Sequence, residues 1–95
     1  MFTLDQVRCF VAVAEELHFD RAAERLNLTQ SPVSRQVQKL ERELGAQLLV
    51  RGHRPLALTP AGEAFLRASR ELLRAVEHAT RTARGTEHAT GAASR

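Results

Sequence analysis

Between Arg25 and Leu40 the chain carries apolar residues at helical spacing and not one acidic side chain. Val33, Val37, Leu40 and Leu44 recur at steps of three and four, so a helix there turns one stripe inward. At about 100° per residue, Ser31, Arg35, Gln38 and Arg42 fall on the opposite side, with Lys39 beside them. Glu41 and Glu43 fall on the flanks. Such a helix must have a core built beneath it, while its outer face offers only hydroxyls, amides and positive charge. Thr29 or Ser31 serves as its cap, Pro32 is tolerated in the first turn where its missing N–H costs nothing, and Gly45 ends it.

The flanking sequence supplies partners for the inward stripe. Thr3 and Gln6 have the spacing of a capping box, and Leu4, Val7, Phe10, Val11, Ala14 and Leu17 form one stripe of a first helix over 3–17. Asp20 is the expected cap of a short second helix with Ala22, Ala23 and Leu26 inward. Paired alanines permit another helix to cross closely, and Asn27 tolerates the left-handed conformation that stops the helix. Leu48 to Arg51 and Leu56 to Thr59 read as two short strands of a hairpin with its tip at Gly52 to Pro55. Thr59 and Pro60 then open a long helix that runs to about Arg84, before Gly85. Its stripe of Phe65, Ser69, Leu72, Val76, Ala79 and Ala83 alternates by fours and threes, the rhythm of helix pairing. Glu63–Arg67, Arg67–Glu71 and Glu77–Arg81 stand four apart and are expected to brace its exposed sides. A helix of that span is about 37 Å long, more than three short helices and a hairpin can cover, so its surplus stripe, with Leu73 beside it, needs a partner. Residues 85–95 are small, polar and without period, which reads as a disordered tail.

Ninety-five residues allow one small domain. No apolar run approaches the ~20 residues of a membrane span, and the N-terminus lacks the pattern of a secretion signal. The single cysteine, Cys9, reads as a small buried residue, in keeping with the cytoplasm. Histidines 18, 53, 78 and 88 share no ligand spacing, no nucleophile–base set stands out, and neither a metal, a cofactor nor an enzymatic activity is expected. The net charge of +3 is modest, yet 13 of the 14 basic residues are Arg, and a second acid-free window, Leu44 to Gly62, holds Arg51, His53 and Arg54. Arginine suits bidentate contact with phosphates and base edges.

Helix, helix, turn, helix, hairpin, long helix is the order of a mainly α winged helix-turn-helix. A recognition helix enters the major groove with its N-terminal residues near base edges, where hydroxyl, amide and Arg groups supply donors and acceptors. Acids on that face would be repelled by phosphates. Arg51 and Arg54 of the wing would reach the backbone or a minor groove.

The run "FVAVAEELHFDRAAERLNLTQSPVSRQVQKLERELGAQLLVRGHRPLALTPAG" also resembles the N-terminal DNA-binding region of LysR-type transcriptional regulators. The likeness rests on Ala22–Ala23, "TQSPVSRQV" at 29–37, "LE" at 40–41, "LG" at 44–45, Arg51 and "LTPAG" at 58–62, and it covers about residues 2–84. The resemblance implies a bacterial regulator that binds an interrupted palindrome in promoter DNA. It implies a homodimer through the long linker helix, tetramers in full-length proteins, and a small-molecule effector bound by a C-terminal domain not present in this sequence. It therefore implies either a truncated piece or a shortened relative. By position it puts Gln30, Ser31, Pro32, Ser34 and Arg35 at the DNA surface, with Arg51 and Arg54 in the wing. The chain departs from the family pattern at Asp20, often Ser or Thr there, at Ser31–Pro32, commonly Pro and a small apolar residue, and at Val50, usually Phe.

The expected organisation is a DNA-binding domain over 1–59, a linker and dimerisation helix over 60–84, and the tail. The DNA-contact set is Gln30, Ser31, Pro32, Ser34, Arg35, Gln38, Lys39, Arg51 and Arg54. The dimer set is Phe65, Ser69, Leu72, Leu73, Val76, Ala79 and Ala83. Alternatives stand beside these: Lys39 and Arg42 as solvated charges, Arg51 as a brace for the wing, and Phe65 and Leu66 packed on their own domain. A rival of another class is a protein-interaction module that docks an acidic partner through the long helix and the basic patches.

Overall fold

Thr3 opens the first helix as the capping box predicts: its side chain accepts from the Gln6 amide at 3.2 Å, and Gln6 Oε1 accepts from the Thr3 amide at 3.0 Å. The computed structural model describes residues 1–52 and 54–93, with side chains through residue 87. Helix α1 (Leu4–Glu16) ends on Leu17 in the left-handed region, α2 (Phe19–Arg25) follows at once, and α3 (Gln30–Leu44) ends on Gly45 at φ 68°. Strands β1 (Leu49–Val50) and β2 (Ala57–Leu58) pair antiparallel with Leu49 opposite Leu58, and α4 (Pro60–Ala93) completes the chain. The expected mainly α fold with its hairpin wing is the one observed. The strands are shorter than expected.

Helix α1 is the centre of the core rather than one wall of it. Its stripe was expected to be one-sided, but Val7 and Cys9 to Ala14 are all buried, because α2, α3 and α4 each pack against it. Leu4, at the free end, is exposed instead. Ala22 and Ala23 are fully covered, which allows α2 to approach both α1 and α3. Val33, Val37 and Leu40 of α3 show no exposure at all, as their spacing requires.

Two caps differ from expectation. His18, not Asp20, caps α2: its Nδ1 accepts from the Arg21 amide at 3.3 Å, leaving Asp20 in the first turn near the positive end of the helix. Thr29 stands at the cap position of α3 without a side-chain hydrogen bond. Asn27 adopts φ 57° after α2, the left-handed stop expected of it.

Where the chain entering β1 meets α4, Thr59 organises the joint. The Thr59 amide donates to Leu48 O at 3.0 Å, the Thr59 hydroxyl donates to Gln47 O at 2.6 Å, and the same hydroxyl accepts from the Gly62 amide at 2.9 Å. A Cβ on Gly62 would lie 2.9 Å from the Leu48 carbonyl carbon and closer still to its oxygen, so only glycine fits. The "LTPAG" motif is therefore a packing device.

The long helix does not stop at Gly85. It runs on to Ala93, which corrects both the expected end near Arg84 and the disordered tail. A lone helical glycine costs about 1 kcal/mol relative to alanine, and Gly85 touches nothing that would force a turn. Residues 94–95 of the expected tail lie outside the described residues, as does His53 at the wing tip.

Candidate nucleic-acid interface

With Val33, Val37 and Leu40 committed to the core, rotation alone decides what α3 shows to solvent. Gln30, Ser31, Arg35, Gln38 and Lys39 are exposed, and Ser34 and Pro32 are half-buried at the edge. Among the described residues, neither Arg35, Lys39 nor Arg42 makes an ion pair. Their charges are unspent within the chain. The first turn carries no acid, and Pro32 removes one backbone donor from it, so Gln30 and Ser31 present the remaining amides.

The two flanking acids of α3 are held elsewhere. Glu43 pairs with the Met1 amine at 3.2 Å. Glu41 turns toward β1, where its Oε2 accepts from the Leu48 and Leu49 amides at 2.8 and 3.3 Å, and its Oε1 stands 3.0 Å from Arg51 Nη2. This carboxylate ties the end of α3 to the wing and covers its own charge, with its side chain only 11% exposed. The bracing role considered for Arg51 is therefore present, and its guanidinium is still 37% exposed.

Arg54 is exposed at the other end of the wing, where it lines a groove with Gln30, Asp20, His18 and Pro55. Arg51 lines a second groove with Gln38, Arg42, Gln47 and its own partner Glu41. Both wing arginines thus border α3, one toward each end. Asp20, the unusual acid of the sequence, stands in the first groove without an ion-pair partner among the described residues.

The residues expected to pair along α4 divide in two. Phe65 packs against Phe2 and Phe10 with ring centroids 5.8 and 5.6 Å apart, Ser69 is 2% exposed, and Leu73 packs on the domain core. In this chain these three pack, Ser69 fully and Phe65 and Leu73 in part, against their own body, as the alternative for Phe65 has it. Leu72, Ala79 and Ala83 are exposed and Val76 is half-buried, leaving a narrower apolar stripe outward. Of the expected bracing pairs, Glu77–Arg81 forms at 3.7 Å. Glu63–Arg67 and Arg67–Glu71 do not form.

A charged cluster that the sequence did not reveal joins three helices. Arg25 Nη2 of α2 donates to Glu15 Oε1 at 2.7 Å, and Arg70 Nε of α4 donates to Glu15 Oε2 at 2.8 Å. Arg25 also reaches Glu16 at 3.4 Å. Partial burial pushes the Glu15 carboxyl upward, but the hydrogen bonds and charges of the two arginines outweigh it and hold the group below the usual carboxylate range. In Cys9, burial and then the charge of Asp5 push the thiol up, away from the thiolate form. Among the described residues no cluster of three metal-ligating side chains occurs, and no helix is long and apolar enough to cross a membrane.

Comparisons with known proteins agree with this geometry. Residues 4–63 match the family described as bacterial regulatory helix-turn-helix proteins of the lysR family. The uncharacterized HTH-type transcriptional regulator YnfL of Escherichia coli (strain K12) is 55% identical over 76 residues, which are 80% of this chain and 26% of that protein. The HTH-type transcriptional regulator AlsR of Bacillus subtilis (strain 168) is 50% identical over 88 residues, 88% of this chain and 29% of its own length. The chain thus spans under a third of these relatives. Among solved structures, the complex of the BenM DNA-binding domain with benA site 1 DNA superposes with a TM-score of 0.85 at 44% identity, covering 87% of this chain and 93% of that one. The CbnR DNA-binding domain in its DNA complex gives 0.84 at 40% identity, over 90% and 98% of the two chains. With the family match, the identities and the folds in agreement, this chain belongs to the LysR family of bacterial regulatory helix-turn-helix proteins.

Proposed function

We propose that this chain is the sequence-specific, double-stranded-DNA-binding part of a bacterial LysR-type transcriptional regulator. It acts as a homodimer through the outward stripe of α4 on an interrupted palindrome. The observation that carries this reading is the exposed face of α3: its cations make no ion pair among the described residues, its flanking acids are paired with Met1 and Arg51, and an arginine of the wing stands toward each end. Relatives that are transcriptional regulators and neighbours solved with DNA support it. Gln30, Ser31, Ser34 and Arg35 lie where a recognition helix reads base edges, while Gln38, Lys39, Arg51 and Arg54 contact the backbone. Pro32 shapes the start of α3 beside them. A longer protein would add an effector-binding domain and assemble dimers into tetramers, in the cytoplasm where promoter DNA is reached.

Affinity measured against salt tests the reading. Each phosphate neutralised contributes a slope of about −0.9 in log affinity against log salt, so several contacts give several units. A flat slope, or no binding to any duplex in a random pool, contradicts it and favours docking to an acidic protein.

A further inference from the structure

Beyond residue 63, α4 meets the rest of the chain, among the described residues, through Phe65, Leu66, Ser69, Arg70 and Leu73. That contact is almost wholly apolar. The Ser69 hydroxyl is buried there without a partner, and among the described residues a single polar tie joins this part of α4 to the helical core: Arg70 to Glu15. Apolar packing confines two helices to a class of crossing angles but leaves a scatter of about 15–20° within it, wide enough for a tilt of a few degrees. A charge-assisted hydrogen bond is short and directional. The same carboxylate holds Arg25 of α2, the helix that packs on α3.

The arm that this tie controls is long. From Leu73 to Ala93 the helix extends about 30 Å, so a tilt of about 5° at its base moves the far end by nearly 3 Å. We propose that Glu15 is a positioning residue, which sets the direction of α4 against the helix-turn-helix by holding Arg70 through Oε2, while Arg25 shares its other oxygen without being needed for that tie. Resting on the DNA-binding reading, this makes Glu15 a determinant of which spacing between two half-sites a dimer accepts, without touching DNA itself. The side chains are partly exposed, at 27% for Glu15 and 45% for Arg70, so the pair contributes little to overall stability. Its effect is on geometry.

Spin labels placed on α1 (Arg8→Cys) and on α4 (Arg81→Cys, on the side away from Leu72), in a Cys9→Ala background diluted with unlabelled protein, report the angle directly. Arg70→Gln and Glu15→Gln are expected to broaden the distance distribution, whereas Arg25→Gln, which leaves the α4 tie in place, keeps it narrow. Circular dichroism verifies that each variant is folded. Coincident distributions for Arg70→Gln and the parent protein overturn the proposal, and equal broadening by Arg25→Gln does so too, since it signals a general loosening. In a second arm, duplexes selected from a random pool are rebuilt with their half-sites at different spacings. Arg70→Gln is expected to lose up to about fivefold of the discrimination among spacings, the range of a surface ion pair, with single half-site affinity unchanged. Unchanged discrimination, or equal loss on single half-sites, counts against it. Failure of the parent protein to bind any duplex sinks the DNA reading and leaves the spin-label result standing.

Discussion

Arg35 and Gly62 show two ways in which one residue matters here. Arg35 is exposed, unpaired and near the N-terminal half of α3, so its value lies outside the chain. Arg35→Ala is expected to leave the melting temperature unchanged, weaken binding by about 1–3 kcal/mol and relax sequence preference. Competition between selected and random duplexes checks this, and equal loss on both reduces the residue to a charge. Gly62 is buried against the Leu48 carbonyl, so its value lies wholly inside. Gly62→Ala is expected to cost about 1–3 kcal/mol or more in denaturant unfolding, because the obstacle is backbone and cannot swing aside. Glu41 combines the two roles. Seen only as a charge on the flank of α3, it is repellent, but folded it caps the start of β1 and steadies Arg51.

At the scale of elements, what the sequence made legible was local. The capping box at Thr3 and Gln6, the left-handed stops at Asn27 and Gly45, and the inward stripe of α3 follow from spacing within one turn or two. The exposed face of α3 followed directly from that stripe, so the candidate interface was largely readable. What was not readable depends on partners distant in sequence. Burial of α1 all round requires knowing that three helices surround it, and the Arg70–Glu15 tie spans 55 residues. His18 as a cap was masked by Asp20, a stronger capping residue by preference, two positions on. The same limit explains the mixed seam of α4: a stripe of period three to four does not say whether its partner is the chain's own body or another copy. Leu72, at 40% exposure, is the largest apolar side chain left outward on that helix. Leu72→Glu is expected to turn dimers into folded monomers in sedimentation velocity, and a persistent dimer would place the contact elsewhere.

The whole molecule measures 59 × 24 × 20 Å, a helical head with a long handle. Apolar packing around α1 holds the head, and the Glu15 cluster joins head to handle. Because Glu15 has a carboxyl held below its ordinary value of 4.5 in the folded chain, its contribution is present above that value and is lost as pH falls through the lowered one. Stability is therefore expected to drop in that acidic window. Glu15→Gln should flatten the drop by an amount within about 0.2–1 kcal/mol, the range of surface pairs, as read from melts across the window. An unchanged profile would assign the acid sensitivity to other carboxylates.

The proposed function puts one surface, the outward side of α3 with the wing beside it, against the edges of base pairs. Nuclear magnetic resonance of the isotope-labelled chain titrated with a selected duplex maps that surface residue by residue. The largest shifts are expected at Gln30 to Lys39 and at Arg51 and Arg54, with the outer face of α2 and the far half of α4 little changed. Shifts concentrated on α4 or on α2, with α3 silent, would contradict that function.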